Sequence, residues 1–130
     1  MATPPALIPI LVCEDIPKEH DFLVEVFEFS SGGIHRTADG QAIHGEVNAG
    51  DAVIWLHRVA AELKVGSPRS LPFSASGLVV YVDDVDAHYR RAVSHGARPE
   101  SEPQDRPYGQ REYAVTDPEG HRWWFATRLT

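Results

Sequence analysis

Two patterns of apolar and polar positions follow one another along this chain. Residues 7–12 are a short apolar run of strand length, with Pro9 acceptable near a strand start. From Asp15 onward the apolar residues Ile16, Phe22, Leu23, Val26 and Phe27 fall at helical spacing. They predict a helix capped by Asp15, with Pro17 in its first turn. Ser30-Ser-Gly-Gly33 reads as its stop. Strands are then expected at 34–37, 42–48 and 53–59, separated by Asp39-Gly40 and Gly50-Asp51 turn signals. Residues 60–73 have no clean period and contain Gly66, Ser67, Pro68 and Pro72, so they read as a linker with one helical turn at 60–64. The second pattern opens with a strand at 77–82 and a helix capped by Asp84. Val85, Tyr89, Ala92 and Val93 supply its buried stripe, His88 and His95 lie on its outer flank, and Gly96 ends it. Pro99, Pro103 and Pro107 allow an edge strand and a loop at best, and strands at 110–116 and 121–128 complete the unit.

The two patterns are one pattern used twice, 69 residues apart. Gln41-Ala-Ile-His-Gly-Glu-Val runs through a Gly-Asp turn into Ala52-Val-Ile-Trp-Leu-His57. Gln110-Arg-Glu-Tyr-Ala-Val-Thr runs through Asp117-Pro-Glu-Gly into His121-Arg-Trp-Trp-Phe-Ala126, and Trp55 falls on Trp124. Asp15-Ile16 and Asp84-Val85 share the offset. Each unit reads β-α-β-β-β. One α+β domain over residues 1–130 is expected, with module one at about 7–59, a linker at about 60–73, module two at about 74–128 and the site between the modules.

Composition narrows the partners. A formal net charge of −7 argues against nucleic acid or an anionic membrane surface. Cys13 is the only cysteine, so no intrachain disulfide can form and a reducing compartment is expected. No apolar run approaches the ~20 residues of a membrane helix, and Met1-Ala-Thr-Pro-Pro lacks the features of a secretory leader. A cytoplasmic protein is expected.

The duplicated unit, together with Tyr81-Val-Asp-Asp-Val-Asp86, Gly96-Ala97, Pro107-Tyr-Gly109 and Asp117-Pro-Glu-Gly-His-Arg-Trp123, resembles the vicinal oxygen chelate superfamily. That superfamily includes glyoxalase I, bleomycin-resistance proteins, fosfomycin-resistance enzymes and extradiol dioxygenases. Phe22-Leu-Val-Glu-Val-Phe resembles the aromatic-rich helix of the family's first half. The resemblance implies two pseudo-symmetric modules whose eight strands form a mixed sheet around a ligand cleft, and a homodimer. Asp-Pro-Glu-Gly alone is also an ordinary type I turn, so the fold reading rests on the motifs together.

Metal-dependent members take ligands from the first and last strand of each module. By motif those positions here are Ile8, Trp55, Gly77 and Trp124. None offers an imidazole, carboxylate or thiolate, so no metal and no cofactor is expected there. The resemblance instead makes Ile8, Trp55 and Trp124 ligand-contacting residues, with two tryptophans suited to a flat or apolar molecule. Strand alternation puts His57 on the face of Trp55, and His44, Glu46 and Asn48 on the same side of the next strand. Carrying the offset of 69 into module two places Arg111 and Tyr113 on the cleft as well, with Tyr108 on the preceding loop.

Two functions follow. The leading expectation is a bleomycin-resistance-like protein that sequesters a small aromatic or apolar molecule. The alternative is a metal-independent isomerase, lyase or cyclase, in which His44, Glu46, His57 or Tyr113 moves protons. His44, Glu46 and His57 could also form a relocated metal site, though without a recognised ligand spacing. Polar side chains on a solvated sheet face are the plain counter-reading.

Overall fold

The computed structural model describes residues 5–130, so most of the segment on which the leader reading rests lies outside it. The duplicated caps form as expected. Asp15 accepts from the Lys18 N–H at 3.1 Å and Asp84 from the Ala87 N–H at 3.1 Å, each satisfying an orphan donor of a first turn. The helices they open, α1 (Ile16–Glu25) and α2 (Val85–Ser94), begin 69 residues apart. Module one adds β1 (Ile10–Cys13), β2 (Ser30–Arg36), β3 (Ala42–Ala49) and β4 (Ala52–Arg58); module two adds β5 (Gly77–Tyr81), β6 (Gln104–Arg106), β7 (Gln110–Thr116) and β8 (Arg122–Arg128). The strands divide into two four-stranded mixed sheets of matching order, β1-β4-β3-β2 and β5-β8-β7-β6. In each, the first strand pairs parallel to the last and the remaining pairs are antiparallel. Between the modules, Ala61–Leu63 and Pro68–Ser70 each form one 3₁₀ turn. Among the described residues no helix is long and apolar enough to cross a membrane.

Two local readings need correction. Ser30-Ser-Gly-Gly33 does not stop α1. The helix ends at Glu25 with Val26 as its C-cap, Glu28 takes a left-handed φ of 65°, and the serine–glycine run is already the first half of β2. The register of β2 on β3 shifts between Ser31 and Gly33, as expected of a glycine-bearing bulged edge. His88 is buried rather than outward, while Val93 is exposed. The His88 Nε2–H donates to the Phe27 carbonyl at 3.1 Å, which leaves Nδ1 to accept the Tyr113 hydroxyl at 2.7 Å. Burial pushes its pKa down, in keeping with this neutral tautomer.

One apolar core lies between the helix-bearing sides of both sheets. Phe27 packs edge-on against Trp123 and Phe125 at 5.6 and 4.7 Å between ring centroids, and Phe29 meets Trp123 at 5.4 Å. Polar bonds fasten the same junction. Asp117 accepts from the Glu119 and His121 N–H groups, both at 3.0 Å, and from Trp123 Nε1 at 2.7 Å. Glu119 accepts from the Glu14 and Asp15 N–H groups at 2.8 and 2.9 Å and from Ser67 Oγ at 2.6 Å. The Asp-Pro-Glu-Gly turn therefore holds module two onto the start of α1. Glu19 of α1 is fully buried beside it, and burial together with the Asp117 and Glu119 carboxylates pushes its pKa up to about 11.

Candidate functional site

Each sheet has one face against the core and one open face, and strand alternation assigns every residue to one of them. On β4, Ile54 and Leu56 are buried in the core, so Val53, Trp55 and His57 lie on the open face. β3 runs antiparallel beside it with His44 opposite His57 and Glu46 opposite Trp55. The residues chosen on β3 and β4 by alternation thus sit side by side. Trp55 Nε1 donates to Glu46 Oε1 at 3.1 Å, and the His44 ring stands edge-on to Trp55 at 5.2 Å, with His35 behind it at 5.8 Å. Gly32 on β2 makes room for Glu46, because a Cβ there would lie 2.6 Å from the carboxylate. Partial burial and the neighbouring His35 push the His44 pKa down, favouring a neutral imidazole at pH 7.

In module two Trp124 occupies the open face of β8, while Trp123 and Phe125 are fully buried on the other side. The Trp124 ring lies over Gly77, where a Cβ would come within 2.4 Å of it, and the Arg122 guanidinium stacks on the indole at 4.7 Å. The two tryptophans lean differently: Trp55 toward β3 and its carboxylate, Trp124 toward β5. Both turn away from the shared core, and among the described residues no aromatic contact joins them.

Arg111 and Tyr113 are not on the open face. Tyr113 is buried against α2, bonded to His88, and burial raises its hydroxyl pKa further. Arg111 pairs with Asp86 of α2 and Asp105 of β6 on the same side. The cause is one residue of loop. Asn48 and Val53 pair across four intervening residues, whereas Thr116 and Arg122 pair across five. The offset of 69 holds on β4 and β8 but becomes 68 on β3 and β7, so Glu46 corresponds to Ala114. A slip of one residue sends every side chain of a strand to the opposite face. The strand partners of Trp55 and Trp124 are Ile10 and Val79, and Ile8 lies on the same alternation as Ile10. Ile8 precedes β1 by two residues.

The same slip brings forward residues that the sequence reading passed over. Glu112 faces the open side of β7 and accepts from Tyr108 Oη and Gln110 Nε2, both at 2.8 Å. Tyr81 Oη donates to Gln110 Oε1 at 2.6 Å, with the Arg128 guanidinium over its ring at 4.3 Å. Comparing the two hairpin loop lengths is the signal that finds them. Tyr108 reaches this network from the loop before β7, as its place in the sequence suggested. Ile10 is 52% exposed, Trp55 36%, Val79 54% and Tyr81 48%, so both open faces present large apolar side chains to solvent. A separate hollow of about 660 Å³ lies at the start of α1, lined by Cys13, Arg36, Arg58 and Ser67, and includes neither tryptophan.

The family model described as the Glyoxalase/Bleomycin resistance protein/Dioxygenase superfamily matches residues 7–125. The chain is 32% identical over 122 residues to the Mycobacterium bovis protein called Uncharacterized protein Mb0911c, spanning 92% of this chain and 80% of that protein. Among solved structures it is similar to TioX from Micromonospora sp. ML1, with 28% identity, a TM-score of 0.74 and coverage of 97% and 98% of the two chains. It is also similar to TnmS3, an antibiotic binding protein from Streptomyces sp. CB03234, with 26% identity, a TM-score of 0.70 and coverage of 98% of each chain.

Proposed function

The chain belongs to the Glyoxalase/Bleomycin resistance protein/Dioxygenase superfamily, and from that premise we propose that it binds and sequesters a small aromatic or largely apolar molecule between two open sheet faces. The observation that carries this reading is the pair of exposed aromatic faces, one bearing Trp55 with its Glu46 anchor, the other Trp124 over Gly77. Indoles held in place beside a few polar groups suit a flat ligand, giving area from the rings and orientation from His44, Glu46, His57 and the Tyr108–Glu112 pair. The antibiotic-binding description of TnmS3 supports the same class of ligand here.

Within one chain both tryptophans turn away from the common core, so one cleft lined by both requires a second copy. We therefore propose a homodimer in which the open face of module one meets that of module two from its partner, giving two equivalent clefts. No metal or cofactor takes part at Trp55 or Trp124. Titration with planar aromatic natural products, followed by tryptophan fluorescence and by mass spectrometry of the recovered ligand, tests the reading. Quenching with the ligand unchanged supports sequestration. Multiple turnovers abolished by His44→Ala or Glu46→Ala, with binding retained, would establish an enzyme instead. The lowered pKa of His44 favours that second reading, since a neutral imidazole can serve as general base.

A further inference from the structure

The junction between the modules contains a set of donors that the ligand reading does not use. Cys13 ends β1, Glu19 lies on the inner face of α1, and His121 follows the Asp-Pro-Glu-Gly turn. All three are buried, and their ligating atoms lie within 4.8 Å of one another. Three carboxylates meet here, Glu19, Asp117 and Glu119, yet none is in an ion pair with a lysine or arginine among the described residues. Asp117 and Glu119 are satisfied by N–H and O–H donors. Glu19 is not: although Asp117 is close by, neither Glu19 oxygen reaches a hydrogen-bond partner, and the side chain is fully buried. An orphaned buried carboxylate has only two stable conditions, keeping a proton or meeting a cation.

We propose that Cys13, Glu19 and His121 form a binding site for a zinc-class divalent cation at the module junction, distinct from the open faces. Thiolate, carboxylate and imidazole are the donors such a cation takes, and three protein ligands leave a fourth position for water. Bonds of about 2.3 Å to sulfur and about 2.0 Å to nitrogen or oxygen require donors roughly 3.3–3.6 Å apart, so the three side chains, now within 4.8 Å of one another, must draw together as the cation binds. The His121 Nε2–H donates to the Val12 carbonyl at 2.9 Å, which leaves Nδ1 unprotonated and able to ligate, an outer-shell bond typical of ligating histidines. A thiolate and a carboxylate neutralise a dication, so the cation takes the place of the protons on Cys13 and Glu19, which leave to solvent, without adding net charge to the core. Two hollows border the site: the larger is lined in part by Cys13, and one of about 190 Å³ by Val12 and His121.

Cobalt(II) titration of the chelator-stripped full chain, with zinc competition, tests the site and does not depend on any ligand at the open faces. One equivalent of cobalt should bind and give a thiolate-to-cobalt charge-transfer band that zinc displaces. Cys13→Ser should abolish the band and weaken binding by about 100-fold or more, at least the loss seen for outer-shell partners. Glu19→Gln, which removes the lone buried acid and should fold, should weaken binding at least about tenfold and serves if Cys13→Ser does not fold. Absence of cobalt and zinc binding by folded wild-type protein would overturn the proposal. So would binding indifferent to both substitutions, or binding lost only when His44 and His57 are replaced.

Discussion

Gly32 and Gly77 mark opposite ends of one design at the residue scale: each withholds a side chain so that a larger one can lie flat on an open face. Gly77→Ala puts a Cβ into the space of the Trp124 ring. The indole is only partly buried and can swing aside, so stability should change by no more than about 1 kcal/mol. Aromatic ligand affinity should fall about tenfold. Denaturation and fluorescence titration measure the two separately. Tyr113 makes the contrasting case. Its hydroxyl is bonded inside the core, so Tyr113→Phe should cost about 1 kcal/mol and leave ligand affinity untouched; a loss of binding without a loss of stability would return Tyr113 to the site. His88, its partner, carries a pH dependence. Its folded pKa lies below the ordinary value near 6.5, so its contribution is present above that value and is lost as pH falls through the folded pKa. Between pH 7 and pH 5 the wild type should lose more stability than His88→Gln, the difference reaching at most about 1.4 kcal/mol per pH unit. Urea unfolding of both proteins at the two pH values measures it.

Elements explain what was legible in the sequence. Helix caps, strand identities on β3, β4, β7 and β8, and the duplicated order could be read because each depends on local chemistry: an aspartate before an apolar stripe, alternation, a turn signal. Facing on β7 could not be read by copying module one, because orientation depends on register, and register on a hairpin longer by a single residue. Glu19 and His88 were hidden by their polarity rather than by their position. Each stands three residues after the first apolar residue of its helix, Ile16 or Val85, so helical spacing already turns it toward the core, where it meets groups of the other module. The Asp117 turn shows how much a common local signal can carry. Asp84→Ala removes one cap bond and should cost about 1 kcal/mol. Asp117→Ala strips partners from two buried N–H groups and the Trp123 indole, and should cost about 3 kcal/mol or more. Equal losses in denaturant titrations would mean that the turn is only a turn.

For the whole molecule, the placement of the core decides where function can reside. Fusing the helix-bearing sides of both sheets through Phe27, Phe29, Trp123 and Phe125 leaves two aromatic faces directed outward, joined among the described residues by neither hydrogen bond nor ring contact. Two copies related by a twofold axis would cover all four faces and close two clefts, each with one Trp55 and one Trp124 from different chains. That geometry predicts a result that no site confined to a single chain can give. Trp55→Ala and Trp124→Ala homodimers should each bind an aromatic ligand weakly, because every cleft lacks one indole. A mixed dimer of the two variants has one cleft missing both tryptophans and one cleft intact. Mixing and refolding equal amounts should therefore restore wild-type affinity to a fraction of the sites near one quarter, as random pairing makes half the dimers mixed and half of their clefts whole. Fluorescence titration of the refolded mixture counts those sites, and light scattering verifies the dimer. A mixture that binds no better than the average of its two parents would show that each cleft belongs to one chain.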